Sequence, residues 1–168
     1  CFNAVDRHVL EGRGDQLALI FDSAMVPEKD TYTYSRLLEQ VELCAGALEA
    51  QGVAVGDRVI IYMPMIPEAV IAMLACARIG AVHSVVFGGF AAEELAARID
   101  DAEPVVVITA SGGLEPARTI EYLPIVERAL AVATVKVSAV IVKSRAQVPG
   151  TANDYVGSAQ ATWLDWDE

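Results

Sequence analysis

Two short segments of this sequence have residue types that could bind a phosphate group. The first is Phe87-Gly88-Gly89-Phe90, which follows an apolar run and precedes a segment with a helical pattern. Paired glycines let the backbone turn sharply and let a ligand approach the N–H groups, and the amino terminus of a following helix favours an anion. The segment does not match the GxGxxG fingerprint of dinucleotide-binding folds. Its spacing fits two structures, a tight turn packed by two phenylalanines and a ligand-binding loop.

The second segment is Ser111-Gly-Gly-Leu-Glu-Pro-Ala-Arg118. It also follows an apolar run, but it lacks the Gly-Lys-Ser/Thr ending of a P-loop and does not predict ATP binding of that kind. The guanidinium of Arg118 has the planar geometry that grips a phosphate with two hydrogen bonds. The alternative is an exposed loop with a surface arginine.

The sequence predicts no catalytic residue and no metal site. It has two histidines and three widely spaced cysteines without a CxxC pair, which does not match a typical zinc site. His83 lies in an apolar strand pattern, so we expect a core histidine there. Asp100 and Asp101 lie near the end of a predicted helix and indicate a solvated cap rather than a metal pair. Ser111 has no neighbouring histidine in the sequence that would activate it.

Apolar, β-rich runs indicate the strands that position these segments. They are Leu17–Phe21, Val59–Met63, Ala81–Val86, Val105–Thr109 and Val137–Val142. Helices are predicted from Thr33 to Gly52, over Glu68–Ile79, over Glu93–Asp101 and from Pro124 to about Val132. Thr33 is suited to cap a helix, Pro67 to occupy a first turn and Gly80 to end a helix.

The alternation of apolar strands and helices predicts an α/β fold, a parallel sheet with helices on both faces. All strands of such a sheet end at the same edge, where open α/β sheets bind ligands. We therefore expect the loops at 64–67, 87–90 and 110–119 to gather there. The sequence predicts one domain over residues 1–168, with an irregular tail over 144–168 that holds one or two short elements.

The composition argues against several partners. The 12 Lys+Arg and 23 Asp+Glu give a net charge of −11, and so acidic a chain is repelled by nucleic acids and anionic membranes. No apolar run reaches the roughly 20 residues of a membrane helix. We predict no nucleic acid partner and no membrane association. The odd number of separated cysteines favours a reducing, cytoplasmic setting.

A long part of the sequence resembles the short-chain acyl-CoA synthetases, the acetyl- and propionyl-CoA synthetases of the adenylate-forming superfamily. The resemblance is carried by Ile61-Tyr-Met-Pro-Met-Ile-Pro-Glu-Ala-Val70 and by Met73-Leu-Ala-Cys-Ala-Arg-Ile-Gly-Ala-Val-His-Ser-Val-Val-Phe-Gly-Gly-Phe90. It extends from Asn3-Ala-Val-Asp-Arg-His8 through Arg118. The run Ile120-Glu-Tyr-Leu-Pro124 is more similar to the propionyl-CoA synthetases.

The resemblance implies a reaction in two steps. In the first step a carboxylate attacks ATP, with magnesium as the metal cofactor, to give an acyl-adenylate and pyrophosphate. In the second step the thiol of coenzyme A (CoA) displaces AMP. It also implies the Rossmann-like layered half of the adenylate-forming amino-terminal domain. The resemblance implies three binding partners: a small carboxylate, ATP and CoA.

The resemblance further implies which residues form part of the site for the CoA nucleotide. They are Phe87, Gly88, Gly89, Glu115, Pro116, Ala117 and Arg118. In that site Phe87 lies against the adenine and Arg118 holds a phosphate. Acetate enzymes have a second arginine where this chain has Glu115, and a carboxylate there is expected to repel the phosphate.

The family's phosphate loop ending in Pro-Lys, its adenine-binding aromatic motif, its magnesium-holding glutamate and its carboxy-terminal lysine do not occur in this sequence. The resemblance therefore implies a truncated first part of the large domain, inactive by itself and able to self-associate through surfaces left uncovered. Two other classes remain open on the residues alone. They are the dinucleotide-binding domain of a dehydrogenase and a non-catalytic α/β interaction module.

Overall fold

The computed structural model describes residues 1–158 and 160–168. The helices are α1 (Asp6–His8), α2 (Tyr34–Ala50), α3 (Pro67–Ile79), α4 (Ala92–Ala102) and α5 (Leu123–Val132), with a π-helical segment at Val9–Arg13 and a 3-10 helix at Ala152–Tyr155. The strands are β1 (Leu17–Asp22), β2 (Lys29–Thr33), β3 (Arg58–Met63), β4 (Val82–Phe87), β5 (Val106–Ala110), β6 (Gly112–Glu115), β7 (Arg118–Glu121), β8 (Ala139–Lys143) and β9 (Thr162–Asp165).

The central sheet consists of five strands in the order β4-β3-β5-β8-β9. All neighbouring pairs are parallel, with Val59 of β3 beside Val106 of β5 and Val106 beside Ala139 of β8. The three central strands are almost fully buried because helices cover both faces. This arrangement confirms the predicted α/β class.

Successive residues of β3 contribute to two separate cores. Val59 and Ile61 pack in the core that contains α2 and α3, whereas Ile60 and Tyr62 pack in the core that contains α4 and α5. The side chains of a strand alternate between its faces, so one strand supports both layers.

The local signals for helix ends are also confirmed. The Arg36 N–H donates to Thr33 Oγ1 at 3.2 Å, which caps α2. α3 begins at Pro67 and ends at Ile79, and the next residue, Gly80, caps it with a φ of 77°, a left-handed conformation that glycine adopts without steric cost. These residues fix the two helices that cover one face of the sheet.

The strand β1 exists as predicted, but its expected place in the parallel sheet is wrong. It pairs antiparallel with β2, from Leu17 opposite Thr33 to Asp22 opposite Lys29, in a separate two-stranded hairpin. The sequence of β2 has no apolar run, because a hairpin exposed on one side requires few buried residues. Tyr32 is the one buried residue of β2.

The loop expected at 110–119 is largely a second antiparallel hairpin, formed by β6 and β7. Residues 144–168, predicted as an irregular tail, hold the 3-10 helix and β9. The strand β9 extends the parallel sheet beside β8, with Trp163 opposite Val140. Trp163 is buried there and its ring stacks on Tyr155 at 4.3 Å between centroids.

The strand β4 forms an edge of the sheet and is partly uncovered. His83 is exposed, so its interpretation as a core histidine is wrong. Val85 and Phe87, two and four residues further on and therefore on the same face, are 52% and 71% exposed. A second open apolar region is a groove of about 620 Å³ between α2 and β9, with Leu43 and Trp166 in its lining. Within the described ranges, no helix has the length and apolar character required to cross a membrane.

Candidate functional site

The turn at the end of β4 brings an exposed aromatic ring next to two glycines. Phe87 is the last residue of β4, and its ring lies 6.1 Å from that of Phe90. Gly89 has a φ of 111°, which side chains disfavour. The Phe90 N–H donates to the Phe87 carbonyl at 3.3 Å, which closes the turn. The glycine turn, residues 87–90, therefore holds Phe87 with most of its ring open to solvent.

The hydroxyl of Tyr62, a buried residue of β3, holds the glycine turn through two hydrogen bonds. The Gly89 N–H donates to Tyr62 Oη at 3.1 Å, and the same hydroxyl donates to the Phe90 carbonyl at 2.9 Å. Burial raises the pKa of Tyr62, so the hydroxyl remains a neutral donor and acceptor at physiological pH. The Gly89 N–H is thus already engaged, and the turn does not present it to a ligand.

The hairpin of β6 and β7 carries the second predicted segment. Glu115 and Arg118 face each other across its tip, and Pro116 and Ala117 form the two-residue connection. Arg118 Nε donates to Glu115 Oε2 at 2.8 Å, and Nη2 lies 3.5 Å from Oε1. The hydrogen bond and the opposite charge lower the pKa of Glu115 and raise that of Arg118. Both side chains are exposed to solvent. In this conformation Arg118 is therefore a surface arginine, which was the alternative interpretation, and Glu115 neutralises its charge.

Ser111 and Arg145 hold the base of this hairpin. Ser111 Oγ donates to the Val148 carbonyl at 2.6 Å and accepts from the Arg145 N–H at 2.9 Å. The Ser111 carbonyl accepts from the Tyr122 N–H at 3.0 Å, and Arg145 Nη1 donates to the Gly112 carbonyl at 2.9 Å. The Ser111 hydroxyl is therefore buried and used in structural hydrogen bonds.

The structure places the glycine turn and the hairpin side by side at the carboxyl edge of the sheet. A Cβ at Gly89 would lie 3.5 Å from Ile120 Cδ1 and 3.9 Å from Glu115 Oε1. The tip that carries Glu115 and Arg118 thus adjoins the turn that carries Phe87. Together they form a surface with one open aromatic ring and one guanidinium.

Two tyrosines that the sequence analysis did not single out connect these parts. The rings of Tyr62 and Tyr122 are 4.9 Å apart between centroids, and both side chains are buried. Tyr122 lies against both Gly88 and Gly113. A tyrosine within the aliphatic run of β3 is the sequence signal for Tyr62, because a buried hydroxyl needs a hydrogen-bond partner.

No group of three or more His, Cys, Asp or Glu side chains in the described part of the chain is arranged to hold an ion. Asp100 Oδ1 accepts from the backbone N–H groups of Thr134 and Val135 at 2.7 and 3.0 Å, which lower its pKa. Asp100 therefore binds the backbone of the segment that follows α5 and not, as its position suggests, the end of its own helix α4.

Comparison with known proteins shows the family. The model of the AMP-binding enzyme family matches residues 6–165, and the chain belongs to this family. It is 54% identical over its whole length to the mitochondrial acyl-CoA synthetase short-chain family member 3 of Bos taurus, of which it covers 24%. It is 53% identical over 129 residues, 77% of the chain, to 20% of the acetyl-coenzyme A synthetase of Halorhodospira halophila. An uncharacterized protein of Pseudomonas aeruginosa is 60% identical over 146 residues, 87% of the chain and 23% of that protein.

The chain thus spans about a fifth to a quarter of the length of these relatives. Membership of an AMP-binding enzyme family does not favour a dehydrogenase or an interaction module. The resemblance to short-chain acyl-CoA synthetases is confirmed.

Proposed function

We propose that this chain is the first part of the large domain of an ATP-dependent, AMP-forming ligase that joins a short-chain carboxylate to CoA. The observation that carries the proposal is the match of the family model to residues 6–165. Identity of 54% along the whole chain to a short-chain acyl-CoA synthetase supports a short-chain carboxylate as the substrate class. The 53% identity to an acetyl-coenzyme A synthetase supports acetate within that class, and propionate remains the alternative from the sequence resemblance. The free cysteines are consistent with the reducing, cytoplasmic setting that we retain as part of the proposal.

Within that enzyme, the glycine turn and the hairpin tip contribute part of the site for the CoA nucleotide. Phe87 is 71% exposed at the end of a strand, and an open aromatic ring is suited to stack on an adenine. The guanidinium of Arg118 lies on the neighbouring hairpin and matches a phosphate in charge and geometry. Gly88 and Gly89 keep side chains away from the ring, while Pro116 and Ala117 hold Glu115 and Arg118 together.

Glu115 competes with a phosphate for the guanidinium of Arg118. Its carboxylate already occupies the fork of Arg118, so an incoming phosphate must compete with it. Exposed ion pairs of this kind are weak because water and salt screen them. The phosphate of a bound CoA nucleotide therefore displaces Glu115, at the cost of some affinity.

ATP, magnesium and the carboxylate bind mainly to residues outside this chain. The described residues contain no acidic cluster for an ion, and the sequence lacks a P-loop. Residues of this chain are accordingly assigned to the second half-reaction, in which CoA takes the acyl group from the adenylate.

The test uses the longer protein that carries this sequence. ATP–pyrophosphate exchange is measured with acetate, propionate and no acid, and thioester formation is measured separately with CoA. We expect exchange that depends on a short-chain acid and needs no CoA. Absence of acid-dependent exchange in a folded protein, or binding of NADH in a fluorescence titration, would overturn the proposal.

A further inference from the structure

Gly88 and Gly113 face the same side chain from opposite sides. A Cβ built at Gly88 would lie 2.8 Å from Tyr122 Cζ, and one built at Gly113 would lie 2.7 Å from the same atom. Both would be closer still to the hydroxyl oxygen. Carbon atoms pack at about 3.5–4.0 Å, so the end of Tyr122 fills a slot that admits no side chain on either wall.

Backbone conformation does not explain these two glycines. Neither has a positive φ, in contrast to Gly89 at 111°. The sign of φ therefore places no bar on an alanine at 88 or 113, and it is the close approach of Tyr122 that excludes a side chain.

Tyr122 is itself held firmly. It is 2% exposed and comes directly before α5. Its N–H donates to the Ser111 carbonyl, and its ring packs on Tyr62, which binds the glycine turn. Burial raises the pKa of Tyr122 to about 12, so its hydroxyl is uncharged at physiological pH. The residue therefore connects the turn, the hairpin base and the sheet.

We propose that Tyr122, seated between Gly88 and Gly113, is a positioning residue that sets the separation between the Phe87 ring and the Arg118 guanidinium. Both groups lie close to the walls of the slot. Phe87 directly precedes Gly88, and Arg118 pairs with Glu115, which lies two residues beyond Gly113 on β6. The width of the slot thereby determines how well the two groups contact one nucleotide together. The inference rests on the proposed function, because it assigns that separation to CoA binding.

The test compares Gly88→Ala with Gly46→Ala in the longer protein. Gly46 lies in α2 and has open space at its Cβ position, so its variant is a matched control. A misplacement of about 1 Å can cost up to about a hundredfold in rate, and for Gly88→Ala we expect a rise of about tenfold in the KM for CoA. Acid-dependent ATP–pyrophosphate exchange should stay unchanged, which a general loss of structure would not allow.

A double variant tests the role of Tyr122 directly. Tyr122→Leu removes the ring and hydroxyl, so the alanine of Gly88→Ala then has room. We expect Tyr122→Leu to raise the KM for CoA and Gly88→Ala to add nothing in that background. Equal effects of Gly88→Ala in both backgrounds would overturn the inference. If Gly88→Ala alone does not fold, recovery of folding in the double variant supports the slot, and failure of both contradicts it.

Arg118→Ala separates this inference from the proposed function. If Arg118→Ala raises the KM for CoA while Gly88→Ala and Tyr122→Leu leave it within twofold, the positioning role of Tyr122 is wrong. The assignment of Arg118 to the CoA site is then still supported. If all three variants leave the KM unchanged, the CoA site itself is wrongly assigned.

Discussion

Replacing Arg118 by alanine in the longer protein tests the candidate site most directly. The side chain contacts Glu115 and little else, since it is 67% exposed. Its removal should therefore leave the fold intact and affect only a ligand that uses the guanidinium. A charge-assisted hydrogen bond to a phosphate is worth about tenfold to a hundredfold in binding. We expect the KM for CoA to rise by that factor.

The ion pair with Glu115 predicts a second, opposite effect. Glu115→Gln keeps the size of the side chain but removes its charge, which frees the guanidinium for a phosphate. Because an exposed ion pair shifts an equilibrium by less than about fivefold, the KM for CoA should fall by two- to fivefold. Glu115→Gln combined with Arg118→Ala should behave like Arg118→Ala alone, because the carboxylate acts through the guanidinium.

The pH dependence of this effect follows from the pKa of Glu115. Arg118 lowers that pKa below its ordinary value of 4.5, so Glu115 stays charged above that value and the pair persists. Its contribution to stability is present above the ordinary pKa and is lost only as the pH falls through the lowered one. The ratio of the KM values for CoA of wild type and Glu115→Gln should hence stay constant between pH 6 and about 8.

The assay measures thioester formation against CoA concentration, with ATP–pyrophosphate exchange as the control for the first half-reaction. Exchange should be unaffected in each variant. A KM for CoA within twofold of wild type in Arg118→Ala would refute the assignment of Arg118. A rise in the KM with Glu115→Gln would refute the competition between carboxylate and phosphate.

Three further predictions concern the 168-residue chain itself. Tyr62→Phe removes the hydroxyl that binds Gly89 and Phe90, and should lower the free energy of unfolding by about 1–3 kcal/mol; thermal unfolding that shifts by less than 1 °C would contradict this. The chain alone should show no acid-dependent ATP–pyrophosphate exchange, and exchange that copurifies with it would contradict the proposed division of the site. The open groove beside Trp166 and the uncovered side of β4 should make the chain self-associate above about micromolar concentration; sedimentation of a pure monomer at high concentration would contradict this.

The parallel sheet could be predicted because its strands are buried on both faces and so have continuous apolar sequences. Pro67 and Gly80 act within a few residues of their own positions, which is why they locate the ends of α3. β2 could not be predicted, since a strand exposed on one side needs no apolar run. β9 is short, and its place in the sheet depends on the partner strand β8, which lies about 20 residues earlier.

The meeting of the two candidate segments was predictable, but the contacts between their side chains were not. Strand ends in a parallel sheet share one edge, so the meeting of the 87–90 turn with the 110–119 segment follows from topology. The pairing of Glu115 with Arg118 depends on the hairpin, which apolar patterns do not reveal. The roles of Tyr62 and Tyr122 depend on atoms from three separate segments, and no local sequence rule brings those together.

The two faces of β3 have a consequence for synthesis on the ribosome. α2 and α3 flank β3 directly in the chain, so Val59 and Ile61 can be covered soon after α3 emerges. The other face must wait for α4 and α5, which end at Ala102 and Val132. Ile60 and Tyr62 are therefore uncovered while more than 50 further residues are translated, at about 5–20 residues per second. During those seconds the face of β3 that packs on α2 and α3 is covered, while the face that will pack on α4 and α5 is open to solvent. We expect a holding chaperone to bind to that open apolar face.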